Sequence, residues 1–206
     1  MKKTFKFFGL AAMAFCVALS FTSCDPGNGN EGNGGNEPDT PAEPVLLTET
    51  FDNGIPGTWT NIDQDGDGYT WGITSEIIGQ AGGFSGEGVA SQSYSNQAGP
   101  LNPNNYLVSP EINITHKGYN LSYYVGASDA DWCNENYSVL VGTLNGNTFT
   151  TLGTLTTEVI QTANFTQKTF NLDAYKGQKV RIAFRHHDIT DMFNMIIDQV
   201  EVKQAQ

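Results

Sequence analysis

Tyr119-Asn120-Leu121-Ser122-Tyr123-Tyr124-Val125 puts an apolar side chain at every second position. That is the period at which a strand turns one face to a core. Tyr137-Ser138-Val139-Leu140-Val141 and Val180-Arg181-Ile182-Ala183-Phe184-Arg185 repeat the pattern. Further β-branched and aromatic runs at residues 45–51, 70–73, 89–94, 106–109, 148–155, 167–172 and 195–203 are separated by Gly, Asn, Asp and Pro clusters. No window keeps a helical period. About ten strands joined by polar turns predict an all-β fold, a single antiparallel β-sandwich domain over residues 45–206.

Outward from this domain, the N-terminus has a different logic. Lys2, Lys3 and Lys6 precede an apolar run over residues 7–19, shorter than the roughly 20 residues a bilayer crossing needs. Residues 1–23 therefore read as a cleaved signal. The run ends Leu19-Ser20-Phe21-Thr22-Ser23-Cys24, which resembles a lipoprotein signal in which Cys24 is lipidated and becomes the first mature residue. Residues 24–44, rich in Gly, Asn and Pro, hold nothing to seed a core and read as a flexible tether. The expectation is an outer-membrane lipoprotein at the cell surface, touching the membrane through its lipid only; a periplasmic orientation is the alternative.

The chain carries 10 Lys+Arg against 22 Asp+Glu. Removing Lys2, Lys3 and Lys6 leaves seven basic residues and a net charge of −15. So acidic a surface argues against nucleic acid and against electrostatic docking on anionic lipid, and is compatible with divalent cations. Of three cysteines, Cys16 leaves with the signal and Cys24 takes lipid, so Cys133 stands alone and a disulfide framework is excluded.

Two carboxylates interrupt the alternation. Glu49 falls on the face of Leu47 and Phe51, and Asp198 on that of Ile196, Val200 and Val202. An inward carboxylate needs a partner. Ca²⁺ shared by Glu49, Asp198 and Asp52 or Asn53 is one solution; pairing with Arg181 or Arg185, or a place at a wet strand end, is the other. A second cluster, Asp63-Gln64-Asp65-Gly66-Asp67-Gly68, sets hard oxygen ligands around a tight turn. Its twelfth position is Thr74 where an EF-hand requires Glu, and no helix flanks it, so Asp63, Asp65 and Asp67 are candidate Ca²⁺ ligands outside that motif.

Catalysis finds little support. There is no Gly-x-Ser-x-Gly nucleophile elbow, and His186 and His187 point to opposite faces of a strand and cannot share a metal. Trp59 and Trp71 read as core anchors. Trp132, in the polar stretch from Asp129 to Asn136, reads with Asp129 and Tyr69 as a candidate ligand platform, which makes a carbohydrate-binding module or a non-catalytic subunit of a surface assembly the alternatives to an adhesin.

Thr48-Glu49-Thr50-Phe51-Asp52-Asn53-Gly54-Ile55-Pro56, Trp59, the run from Ile62 to Gly68 and Trp71 resemble the opening of a cleaved-adhesin domain, the haemagglutinin/adhesin module of gingipain-type proteases. Asn104-Asn105-Tyr106-Leu107-Val108-Ser109-Pro110 is similar to the family's mid-domain strand. Asp129-Ala130 with Glu135-Asn136-Tyr137 matches its central loop. Ala183-Phe184-Arg185-His186, Thr190-Asp191-Met192-Phe193 and Ile197-Asp198-Gln199-Val200-Glu201-Val202 match its last two strands. The ordered blocks cover nearly all of residues 46–203. The resemblance implies a jelly-roll sandwich of galactose-binding/adhesin type, structural Ca²⁺ with Glu49 and Asp198 at positions the pattern keeps, no catalytic machinery, and adhesion to host or partner macromolecules, glycans and haem-containing proteins among them. Residues 75–88 and 156–166 match poorly, and the lipid anchor departs from the polyprotein setting of the family.

Overall fold

The long alternating runs become the longest strands of the domain. The structure, a computed structural model, describes residues 45–205; the predicted signal, Cys24 and tether lie outside the described residues. In chain order the strands are β1 (Leu47–Glu49), β2 (Thr60–Asp63), β3 (Gly72–Ile73), β4 (Val89–Gln92), β5 (Tyr94–Ser95), β6 (Gly99–Pro100), β7 (Asn104–Val108), β8 (Ile112–Asn113), β9 (Tyr119–Ala127), β10 (Asn136–Asn145), β11 (Thr148–Val159), β12 (Thr166–Asn171), β13 (Lys179–His187) and β14 (Asn194–Gln204). A four-residue helix, α1 (Thr74–Ile77), follows β3. Ten strands were expected; the additional β2, β5, β6 and β8 span only two to four residues each, too short for alternation to register.

Two six-stranded sheets form. One runs β12-β9-β14-β4-β3, with β1 also paired to β14; the other runs β11-β10-β13-β7-β2, with β8 also paired to β13. Pairing is antiparallel throughout. In the first sheet β4 takes Asn194–Ile197 of β14 and β1 takes Val200–Val202. The first and last strands of the domain therefore meet, as anticipated for Glu49 and Asp198.

The inner faces interlock around Leu121, Tyr123 and Val125 of β9, Val139 and Val141 of β10, Ile182 and Phe184 of β13, and Met195 and Ile197 of β14. Burying each such side chain contributes about 1.5–3 kcal/mol. Tyr123 packs edge-on against Phe184 with ring centroids 5.0 Å apart. Trp59 and Trp71 join this core at 6% and 2% exposure, as their anchor reading required.

One register detail corrects the sequence reading. Gln199 has φ +48°, and the β14–β9 ladder slips between Asp198 and Glu201. This bulge changes the parity of the strand. Met195 and Ile197 face the core before it, Val200 and Val202 after it. Asp198 thus shares the opposite face with Ile196, not the core face of Val200 and Val202. It is nevertheless fully buried, because the segment 83–88 lies over it: a Cβ on Gly83 would fall 2.8 Å from Asp198 Oδ2, and one on Gly88 would fall 3.1 Å from Ile196 Cγ2.

Candidate functional site

Three features gather chemistry on this scaffold: two acidic constellations and an aromatic groove. The turn after β2 holds Asp63, Asp65 and Asp67 with carboxylate oxygens within 4.8 Å of one another, the one such group among the described residues. Its shape is set by backbone donors. Gly66 and Gly68 N–H donate to the two Asp63 oxygens (2.7 and 2.9 Å), Tyr69 N–H to Asp67 (2.7 Å) and Asn104 N–H to Asp65 (3.0 Å). Gly66 and Gly68 sit at φ +76° and +83°, conformations open to glycine at no steric cost. Burial, then the charges of Asp65 and Asp63, push the Asp67 carboxyl above its ordinary range, against the lowering effect of Tyr69 N–H. Crowded carboxylates with spare lone pairs suit a hard cation.

The second constellation lies where β1 and β14 meet. Asp198 Oδ2 accepts from Ser85 N–H (3.0 Å) and Oδ1 from Gln199 N–H (2.6 Å). Asp52 Oδ1 accepts from Glu87 N–H (3.1 Å). The two acids together pin the loop 83–87. Burial raises the Asp198 carboxyl above its ordinary range, the loop N–H groups oppose this, and the Asp52 charge adds to it. A Cβ at Gly86 would meet Asp52 Oδ1 at 2.2 Å, and one at Gly83 the Glu87 carbonyl oxygen at 2.2 Å. Only glycines leave these oxygens their space. Glu49 differs from expectation: its Oε1 accepts from Phe51 N–H (3.0 Å), where Phe51 turns at φ +58°, and it forms no three-carboxylate group with Asp52 and Asp198. The arginine alternative also fails, since Arg181 donates to the Ser109 carbonyl and Arg185 to Asn104 Oδ1 while lying over the Tyr106 ring.

The groove opens between the 128–135 and 188–193 loops. Tyr94, Asp129, Trp132, Asp191, Met192 and Phe193 line a cavity of about 390 Å³, within the roughly 300–1,000 Å³ usual for ligand sites. Trp132 is 51% exposed. Sequence reasoning placed Trp132 and Asp129 together and the structure does so. Tyr69 it does not: that residue lines a separate groove of about 620 Å³ with Glu76 and Gln97, joined to the first only through Phe193.

What holds the groove was hidden from the sequence. Asp191 N–H donates to the Ser93 carbonyl (3.1 Å), Met192 N–H to Ser93 Oγ (3.2 Å) and Phe193 N–H to Glu135 Oε1 (2.9 Å). Behind them, Ser93 Oγ donates to Glu135 Oε1 (2.8 Å), and His186 bridges Glu135 Oε2 (3.0 Å) and Ser91 Oγ (2.9 Å). Ser91, Ser93, Glu135 and His186 are all fully buried. His186, next to last in β13, is therefore a core member of a polar cluster. Asp191 takes φ +58°, an uncommon conformation that Asp tolerates better than most. Three consecutive N–H groups fixed from below make the wall of the groove rigid.

Ser91, His186 and Glu135 superficially line up as a hydrolytic triad. The serine meets Nδ1 and the acid meets Nε2, the reverse of the usual wiring, and no substrate reaches a serine at 0% exposure. Cys133 is likewise a buried free thiol.

A β-sandwich bearing loop grooves on an inert polar support defines a binding module. The chain belongs to the cleaved adhesin family: the Cleaved Adhesin Domain model matches residues 45–202. Hemagglutinin A of Porphyromonas gingivalis (strain ATCC BAA-308 / W83) is 38% identical over 178 residues, covering 77% of this chain but 8% of that protein. The chain thus spans a small fraction of the length of the curated relatives it matches. The K3 cleaved adhesin domain of Lys-gingipain from Porphyromonas gingivalis w83 superposes with a TM-score of 0.69 at 35% identity, over 79% of this chain and 99% of that one. The CBM22-1 xylan-binding domain of Paenibacillus barcinonensis Xyn10C shares the fold alone, with a TM-score of 0.50 at 14% identity over 80% and 97% of the two chains. Some relatives are named as proteases, but the matched domain is not their catalytic part. The jelly-roll expectation holds, and with it the reading of a surface adhesin-type module.

Proposed function

We propose that this chain is a lipoprotein adhesin, held at the outer surface of the cell by lipid on Cys24, that grips a host or partner macromolecule through the Trp132 groove. The observation that carries the reading is the fixed wall: Asp191, Met192 and Phe193 each give a backbone N–H to Ser93 or Glu135. A rigid groove loses little entropy on binding. Calcium stiffens the two remaining loops. Asp63, Asp65 and Asp67 hold one ion; Asp52 and Asp198, with carbonyls of the 83–87 loop and Glu49 close by in sequence, hold a second. In each place a cation relieves carboxylates that otherwise repel.

Membrane anchoring is tested by palmitate labelling and protease shaving of intact cells. The expected result is a labelled chain whose domain peptides are released by shaving, with both signals lost in Cys24→Ser. A labelled chain that survives shaving would place the domain inside the periplasm and overturn the adhesin reading. For the metal, melting in Ca²⁺ should exceed melting in chelator; identical melts would remove calcium from the account.

A further inference from the structure

We infer that the Trp132 groove binds a neutral pyranose sugar, its C–H face stacked on the Trp132 indole and its hydroxyls hydrogen-bonded to Asp129 and Asp191. This rests on the reading of the groove as the partner site and adds the chemical class of what enters it.

The inventory of polar groups selects the ligand. The backbone N–H groups of Asp191, Met192 and Phe193 are consumed by Ser93 and Glu135. Its charged groups are acceptors: the exposed Asp191 carboxylate, and on Asp129 the oxygen left over once Oδ1 accepts from Asp131 N–H (2.8 Å); the Tyr94 hydroxyl and the Trp132 indole N–H add only neutral donors. A ligand must therefore donate. Anionic sugars are excluded on charge, because no Lys, Arg or His lines the groove. Residues 118–167 and 188–202, which supply both loops, contain none, while the loops themselves carry Asp129, Asp131, Asp188 and Asp191.

The donors on offer are hydroxyls, neutral amides and cationic side chains. A sugar hydroxyl comes with an apolar C–H face that stacks on the indole, which a neutral amide lacks. That leaves a cationic side chain over the ring as its rival. The openness of the groove separates them. Trp132 is half exposed and Asp191 is exposed. A cation over a wet aromatic ring gains little, and an exposed ion pair gains little that salt does not screen. A pyranose has no charge to screen. It buries its apolar face on the indole and keeps its outer hydroxyls in water. Tyr94 and Phe193 extend the apolar floor, and the cavity has room for a sugar ring or two.

The test uses the full chain in detergent micelles on an array of neutral, sialylated and sulfated glycans. Neutral glycans should bind, with signals falling at least about tenfold in Trp132→Ala, since the stacking platform is gone. Asp191→Asn, which tolerates the same backbone, should weaken them about threefold through loss of a charge-assisted acceptor. Both variants should melt with the wild type. Binding confined to sialylated or sulfated glycans, or neutral binding indifferent to Trp132→Ala, would overturn the inference. A clean array alongside Trp132-dependent adhesion to protein, competed by a lysine- or arginine-rich peptide, would also overturn it while leaving the adhesin reading intact.

Discussion

Two loops of this domain are each fastened from beneath by a buried acid, and the two acids live in opposite company. Under the 188–193 loop, Glu135 is met by Ser93, His186 and Phe193 N–H. Under the 83–87 loop, Asp198 is met by Ser85 and Gln199 N–H groups but also by the charge of Asp52, and its carboxyl is raised. The first loop is satisfied by protein alone; the second lacks a positive charge. A buried acid with donors on every side pre-organises a binding wall, whereas an acid facing another acid calls for an ion. On the function proposed above, the groove is rigid without a cofactor and the other side depends on calcium.

The largest effect should come from the satisfied acid. Glu135→Ala strips partners from His186, Ser93 and Phe193 N–H at once and is expected to destabilise by about 3–5 kcal/mol, read by urea melts. A loss below 1 kcal/mol would mean that the polar cluster does not hold the groove. Asp198→Asn is expected to cost less, about 1–3 kcal/mol, by setting an amide N–H₂ against one of the loop's N–H donors. Its sharper signature is that the difference between melts in Ca²⁺ and in chelator should shrink while the Asp63 site continues to respond. Asp63→Asn should shrink the same difference by its own share, and the two losses should add, as expected of separate sites.

The acids of the unsatisfied sites also fix a pH signature. Asp67 and Asp198 have folded values raised above the ordinary 3.8, so in that window the folded state binds more protons than the unfolded. Their contribution to metal-free stability therefore improves as pH falls through the raised values and levels off at about 3.8. His187 runs the other way at milder pH. Burial holds its imidazole below the usual 6.5, outweighing the Asp188 carboxylate 2.7 Å away, so stability is lost as pH falls through 6.5. Melts in chelator should show a small loss near pH 6.5 that His187→Gln abolishes. In Ca²⁺, acidification should only destabilise, because bound metal requires ionised carboxylates. Smallest of all, Trp132→Ala should leave the melt within about 0.5 kcal/mol of wild type, as expected at an exposed site.

Much of this was legible in the sequence where physics is local. Alternation over Tyr119–Val125 and Val180–Arg185 located the central strands, and the polar neighbours of Trp132 announced its exposure. The Asp63, Asp65 and Asp67 turn was visible because its glycines and acids are contiguous. Asp198 was misassigned because a bulge with Gln199 at positive φ flips the strand, and glutamine gives no hint of that conformation. The groove wall was invisible because Ser93, Glu135, His186 and Phe193 converge from four separate segments. Tyr69 was grouped with Trp132 by chemistry alone, and the two line separate grooves that share Phe193.

If the rigid Trp132 groove is the adhesive surface, adhesion depends on its indole. The most direct test is adhesion of cells displaying equal amounts of wild-type chain or Trp132→Ala to a host-cell layer, with surface quantity fixed by shaving. At least a tenfold loss of adherent cells is expected, with an unchanged melt of the purified variant. Equal adhesion by the two would contradict it.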